Sequence, residues 1–219
     1  MSERSRAELD AQRDHWEKAL AQQAEKFGPT SAPAQAAADA FAAAGVRRLL
    51  ELGAGQGRDT LFFAERGFEV EALDYAACGV AEIERKAAEG GLAGRVHASV
   101  HDLREPLPFA AASFDACYSH MLFCMALTAA ELEALAAEVR RVLRPGGLHV
   151  YTARNTHDPD YGHGRHLGDE LFEVGGYVIH FFSAEMVARL AGPDEIVAID
   201  EFREGPLPRR LYRVTLRCG

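Results

Sequence analysis

Residues 49–74 read LLELGAGQGRDTLFFAERGFEVEALD. An apolar run ends in three alternating glycines, Gly53, Gly55 and Gly57, then a helix-forming segment, then an alternating strand closed by Asp74. Glycine lets a chain turn sharply off a strand and lets backbone N–H groups approach a ligand at the start of the next helix. In strand–turn–helix context such a turn marks a nucleotide-type site at the carboxyl end of a parallel sheet. Single residues separate two competitors. The dinucleotide fingerprint G-x-G-x-x-G needs glycine where Arg58 stands, and no Gly-Lys-Ser/Thr follows to make a phosphate loop.

The surrounding chain repeats this rhythm. VRRLLEL (46–52), FEVEALD (68–74), RVHASV (95–100), SFDACYSHML (113–122) and GLHVYTARN (147–155) read as strands. Helical segments lie between them, the longest being TAAELEALAAEVRRVL (128–143), which Pro145-Gly146-Gly147 is expected to stop. IVAIDEFRE (196–204) and RRLYRVTLR (209–217) have only a Gly/Pro turn between them and should pair as an antiparallel hairpin. The expected class is α/β: a doubly wound, mostly parallel, seven-stranded Rossmann-like sheet with a C-terminal antiparallel hairpin. At the N-terminus, Leu9, Trp16, Leu20 and Phe27 form one helical stripe that Gly28-Pro29 ends, and Thr30 or Ser31 can cap an Ala-rich helix running to about Ala44. Residues 1–44 thus read as a helical lid segment and 45–219 as the main domain, with 154–182 as an insertion.

With 219 residues, 48% of them hydrophobic, the chain can bury one full core. No apolar stretch approaches the ~20 residues of a membrane span, and the charged N-terminus has no apolar leader core, so no membrane partner or secretory signal is expected. Cys78, Cys117, Cys124 and Cys218 form no CxxC pair and read as reduced thiols, which points to the cytoplasm. A net charge of −9 argues against a nucleic-acid partner.

Two further carboxylates complete the pattern. Asp74 lies nineteen residues beyond Gly55, where a carboxylate can accept both hydroxyls of a ribose. Asp102, in HDLREPLPF, follows the third strand, where it can accept an adenine amino group, with Leu103 behind the ring. Together these residues resemble the class I S-adenosylmethionine-dependent methyltransferases over roughly Val46–Asn155 and the terminal hairpin. GQGRDTLFFAERGFEVEALD is further similar to the small-molecule branch near the tellurite-resistance methyltransferases. The resemblance implies S-adenosylmethionine as cofactor. It places Gly53, Ala54 and Gly55 under the methionine half, Asp74 at the ribose, and Asp102 and Leu103 at the adenine, with Gln56 and Tyr75 also expected among the cofactor-binding residues. Glu51 would orient the turn or reach the ammonium through water, and backbone around Ser119 and His120 would hold the ammonium end.

The nucleophile is less constrained. Asn/Asp-Pro-Pro-Tyr, used on exocyclic base amines, is replaced by Tyr118-Ser119-His120-Met121, so a small molecule is the expected substrate, through S, O, N or a metalloid or chalcogen. His120 is the candidate base, with a structural histidine as the alternative. On the N-terminal helix, Trp16 is a candidate substrate contact. The insertion holds His157, His163 and His166 at intervals of six and three among five carboxylates. Its glycines Gly162, Gly164 and Gly168 suit a zinc site poorly, so no metal is expected. It reads instead as a substrate lid in which Arg154, Tyr161, His163 and His180 line the pocket. A non-catalytic S-adenosylmethionine-binding module and a protein or RNA methyltransferase are the rival readings, and a monomer or homodimer is expected.

Overall fold

The computed structural model describes the backbone of residues 3–22, 28–205 and 209–219, and the side chains of α1 except at 3–10, 13 and 22. Phe27 and the side chain of Leu9, expected in the apolar stripe of the first helix, lie outside the described residues. In chain order come α1 (Glu3–Gln22), α2 (Ala32–Ala43), β1 (Arg48–Leu52), α3 (Arg58–Glu65), β2 (Glu69–Asp74), α4 (Ala77–Glu89), β3 (Val96–Val100) and β4 (Phe114–Ser119). Then follow α5 (Ala129–Val142), β5 (Leu143–Arg154), β6 (Arg165–Gly168), β7 (Leu171–Val174), β8 (Tyr177–His180), α6 (Ala184–Ala191), β9 (Glu195–Glu204) and β10 (Arg209–Arg217).

The large sheet has the order β3-β2-β1-β4-β5-β10-β9. β1 pairs in parallel with both β2 and β4, whereas β10 runs antiparallel to β5 and β9, as the missing helix between the last two strands requires. Strand order reverses between β1 and β4, so the glycine turn after β1 opens at the switch point, where such sheets bind ligands. Alternation along the strands divides the core. Leu49, Ala116, Tyr118 and Val150 pack under Phe41 of α2, Phe63 of α3 and Ile83 of α4. Leu50, Leu52, Cys117 and Tyr151 pack on the other face under α5 and α6. Cys117, Cys124 and Cys218 are free, buried thiols.

Helix starts follow their caps. Ser31 accepts from Ala34 N at the start of α2, Ser183 from Met186 N at α6, and Thr128 with Glu131 forms a capping box at α5. Two differences from the sequence reading have local causes. α5 ends at Val142, before the Pro-Gly-Gly, and β5 runs through it. Gly146 donates to Cys218 O, and a Cβ at Gly147 would stand 3.0 Å from Asp115 O, so the glycines let the irregular start of β5 hug β4. The insertion is also no open loop: β6, β7 and β8 form a separate three-stranded antiparallel sheet.

Candidate active site

The glycine turn is fixed from beneath, since the N–H groups of Gly53 and Ala54 both donate to Leu73 O of β2, at 2.8 and 3.2 Å. Gly53, Gly55 and Gly57 take φ of +71°, +58° and +83°, a region that penalises any side chain. Asp74, 7% exposed, closes the turn from the next strand: Oδ2 accepts Gly55 N–H and Oδ1 accepts Ala76 N–H, each at 2.8 Å. A carboxylate offers about four acceptor directions, so Asp74 keeps acceptor capacity for a ligand hydroxyl.

Other buried polar atoms nearby lack partners. Glu51, next to last in β1, has Oε2 unpaired, and Ser119, fully buried at the end of β4, has an unpaired Oγ. Such atoms are costly unless a ligand or water meets them. Burial, reinforced by the charge of Asp59, pushes the Glu51 carboxyl up to about 8, and burial pushes Asp74 up to about 6. The leftover acceptors suit a ligand with an ammonium and a pair of hydroxyls, and the residues fit S-adenosylmethionine on that ground.

Several nominated residues carry other contacts. Gln56 sends its amide to Leu20 O at 2.8 Å and so ties the last turn of α1 to the glycine loop. Asp102 is held by Arg104, with Nη2 at 2.7 Å, beside a buried Leu103, so an adenine amino group would share that carboxylate. Tyr75 is half-buried after Asp74.

His120 stands between two elements. Its Nδ1 lies 2.9 Å from Thr152 Oγ of β5, and its Nε2 lies 3.0 Å from Glu204 Oε2 at the end of β9. Next to it, Asp59 is 3% exposed; its carboxylate takes Ser31 N–H, the Ser31 hydroxyl and a two-pronged contact from Arg58. Burial pushes the Asp59 carboxyl up, but Arg58 and Ser31 outweigh it and leave it below the usual range. Thr152, Glu204, Arg58 and Asp59 were not singled out from the sequence. The Arg-Asp-Thr after the glycines and the lone hydroxyl in VYTARN were the signals available.

Over this edge, α1 meets the small sheet. Gln12 accepts Val178 N–H and donates to Gly176 O, so its amide pairs with the β8 backbone like a short strand. The ring of Tyr177 lies 4.8 Å from His15 and 6.1 Å from Trp16. Of the nominated lid residues, Tyr161 packs edge-on against Phe172 and Phe181, and His163 is exposed. His180 is fully buried with Nδ1 2.8 Å from Leu127 O, and burial lowers its basicity.

Arg154, 5% exposed, is taken up by Asp158 and Asp160, and Asp158 also accepts Arg210 N–H at 2.8 Å. This cluster clamps the root of the insertion to β10. Removing one partner of a buried pair costs about 3–5 kcal/mol because the other charge is stranded. Asp158→Asn should therefore lower unfolding stability by about 3 kcal/mol in urea titrations, while Asp160→Asn, whose side chain is 45% exposed, should cost far less.

The three loop histidines diverge: His157 pairs with Glu201, His166 lies on Phe172 with Nε2 2.6 Å from Asp169 O, and His163 faces solvent. Among the described residues, no group of three His, Cys, Asp or Glu is placed to hold a metal ion, and no helix is long and apolar enough to cross a membrane.

Comparison with known proteins agrees with this geometry. The methyltransferase domain family matches residues 49–147, from β1 through the glycine turn and Asp74 into β5. Residues 49–147 thus match a methyltransferase domain. A curated relative, malonyl-[acyl-carrier protein] O-methyltransferase of Serratia marcescens, is 32% identical over 133 residues, 59% of this chain. That match spans only 45% of the relative's length. Among solved structures, 1,6-didemethyltoxoflavin-N1-methyltransferase of Burkholderia thailandensis, with 1,6-didemethyltoxoflavin and S-adenosylhomocysteine bound, is similar at TM-score 0.76 and 19% identity, over 100% of this chain and 91% of its own. TehB of Haemophilus influenzae is similar at TM-score 0.64 and 16% identity, over 83% of this chain and 60% of its own. These structural likenesses speak for the methyltransferase fold.

The raised carboxyls give the methyltransferase domain a pH signature. Glu51, ordinarily at 4.5, titrates near 8 in the folded chain, so the folded state holds a proton that the unfolded state has released between those values. Stability of the cofactor-free protein should fall as pH rises from about 5 to 8. A cationic ligand favours the ionised carboxylate, so S-adenosylmethionine should bind more tightly, with proton release, over the same window. Calorimetry in buffers of different ionisation enthalpy checks this, and Glu51→Gln should flatten both trends.

Proposed function

We propose that this domain transfers the methyl group of S-adenosylmethionine to a small-molecule nucleophile. The observation carrying this reading is the composite roof, in which α1 meets the β6–β8 sheet through Gln12, His15, Trp16 and Tyr177 and is tied to the glycine turn through Leu20 O and Gln56. A roof built from the chain's own elements favours a substrate small enough to be enclosed. The net charge of −9 disfavours a nucleic acid. The toxoflavin enzyme, named for a small heterocyclic substrate, is similar over the whole chain.

Bound S-adenosylmethionine supplies an electrophilic methyl group. Asp74 and the turn hold the ribose and methionine ends, Glu51 and Ser119 meet the ammonium end, and Asp102 with Leu103 receives the adenine. The roof excludes water and holds a nucleophile in line with the methyl carbon. His120 stands at the end of β4, beside the transferred group. Trp16 on α1 and the insertion, 154–182, choose the substrate.

The test is a screen scored by S-adenosylhomocysteine formation, with phenols, N-heterocycles, carboxylic acids, thiols, selenide and arsenite as acceptors and bulk tRNA and casein as controls. Turnover on one of the small molecules is expected. Tight calorimetric binding with no turnover anywhere would make the domain a sensor of the cofactor, and turnover on the macromolecules alone would sink the small-molecule reading.

A further inference from the structure

The cluster above β4 and β5 holds more proton-transfer machinery than one histidine. Thr152 is fully buried, and its Oγ accepts Met121 N–H at 2.9 Å. Met121 takes a φ of +59°, unusual for a residue with a side chain, which aims that N–H at the hydroxyl. The hydroxyl keeps its own proton to donate, and His120 Nδ1 is 2.9 Å away. An ionised carboxylate only accepts, so Glu204 Oε2, 3.0 Å from Nε2, places the ring proton there, and Nδ1 of the neutral ring accepts the Thr152 hydroxyl. Neither ring nitrogen is then open to take a proton from a nucleophile.

The neighbouring group able to accept one is the Glu204 carboxylate, whose side chain is 27% exposed at the end of β9. His120 faces it from the loop after β4, and Arg58 and Asp59 from α3. Asp59 is itself committed to Arg58 and Ser31. We propose that Glu204 is the catalytic proton acceptor, with His120 as its hydrogen-bond donor and Thr152 as the positioning residue that fixes the ring. The favoured nucleophile is accordingly a hydroxyl or ring N–H, which must lose a proton, rather than a thiolate, selenide or arsenite. This rests on the methyl-transfer reading and on the place of His120 beside the reacting group.

The step balances simply. The nucleophile's lone pair bonds the methyl carbon as the carbon–sulfur pair returns to sulfur. The nucleophile's proton passes to a Glu204 oxygen and thence to solvent. His120 keeps its Nε2 proton throughout, stabilising the carboxylate before transfer. Burial pushes the Glu204 carboxyl up, but His120 and Arg58 outweigh it and hold it below the usual range.

The experiment pairs kinetics with ring NMR, using 4-methylphenol, uracil and thiophenol as probes, the first two being weak acids that must lose a proton and the third ionised without help. Glu204→Gln should cut turnover on the O–H and N–H probes by about 100-fold, within the range for general acid–base catalysis, and change thiophenol turnover less than about threefold. S-adenosylmethionine affinity should be unchanged, and Glu204→Asp should restore part of the rate. The wild-type acid limb of kcat/KM should fall below pH 5, whereas a histidine base would place it near the ordinary imidazole value of about 6.5. Long-range ¹H–¹⁵N spectra at pH 8 should show a bare Nδ1 on His120, and Thr152→Val should mix the tautomers. A bare Nε2, an acid limb near 6.5, or equal losses on phenol and thiol would each overturn the relay. Silence from all three probes would overturn the substrate class, while the ring spectra still decide the relay.

Discussion

Asp74→Ala should weaken S-adenosylmethionine binding by about 1,000-fold in calorimetry. The carboxylate has two tasks that fail together. Its oxygens hold Gly55 N–H and Ala76 N–H, so the turn and the start of α4 lose their common anchor. Its remaining acceptor directions are the ones assigned to the ribose hydroxyls, and each hydrogen bond to a charged group is worth about 1.5–3 kcal/mol. Two lost at the low end, plus loosening of the turn, come to about 4 kcal/mol, or about 1,000-fold. Asp74→Asn keeps one acceptor oxygen but turns an amide N–H₂ toward a backbone donor, and should fall between. The protein itself should not lose stability in proportion, because burial already pushes this carboxyl up to about 6. An Asp74→Ala affinity within about threefold of wild type would remove the ribose assignment.

How far the site could be read from sequence depended on how local each interaction is. The glycine turn and Asp74 are written in one stretch of twenty-six residues, because a strand, a tight turn and a helix constrain neighbours along the chain. The terminal hairpin followed from the absence of a helix between two strands. The small sheet of the insertion was missed because its strands have four residues each and are flanked by glycines, among them Gly162, Gly164, Gly175 and Gly176, which is also how an irregular loop reads. Thr152 and Glu204 meet His120 across 32 and 84 positions, and no periodicity encodes such a meeting. Arg154 misled in the opposite way. Its position at a strand end is that of a pocket residue, yet the acids four and six residues on claim its guanidinium. Gln56 belongs to the same class: it sits in the glycine turn but spends its amide on α1.

Gly79→Val should abolish measurable S-adenosylmethionine binding, a loss of more than about 1,000-fold, and Gly79→Ala should weaken it by about 30-fold. Helix propensity alone points the other way, since alanine in a helix interior is worth about 1 kcal/mol over glycine. Gly79 lies in the first turn of α4, where a Cβ would stand 2.3 Å from Gly55 O and 3.2 Å from Gly55 C. The obstructing atoms are backbone, so they cannot rotate away as a side chain would. Gly55 must move, and its N–H is the one held by Asp74. The same turn carries Gln56, whose amide holds Leu20 O, so a displaced turn also disturbs its tie to α1. Two effects then oppose each other in Gly79→Ala: a helix gain of about 1 kcal/mol and a steric cost paid at the binding turn. The expected signature is near-normal thermal stability without cofactor, together with a collapsed thermal shift when cofactor is added. Normal affinity in Gly79→Ala would mean that the turn yields freely, and that Asp74 rather than the packing of α4 sets its shape.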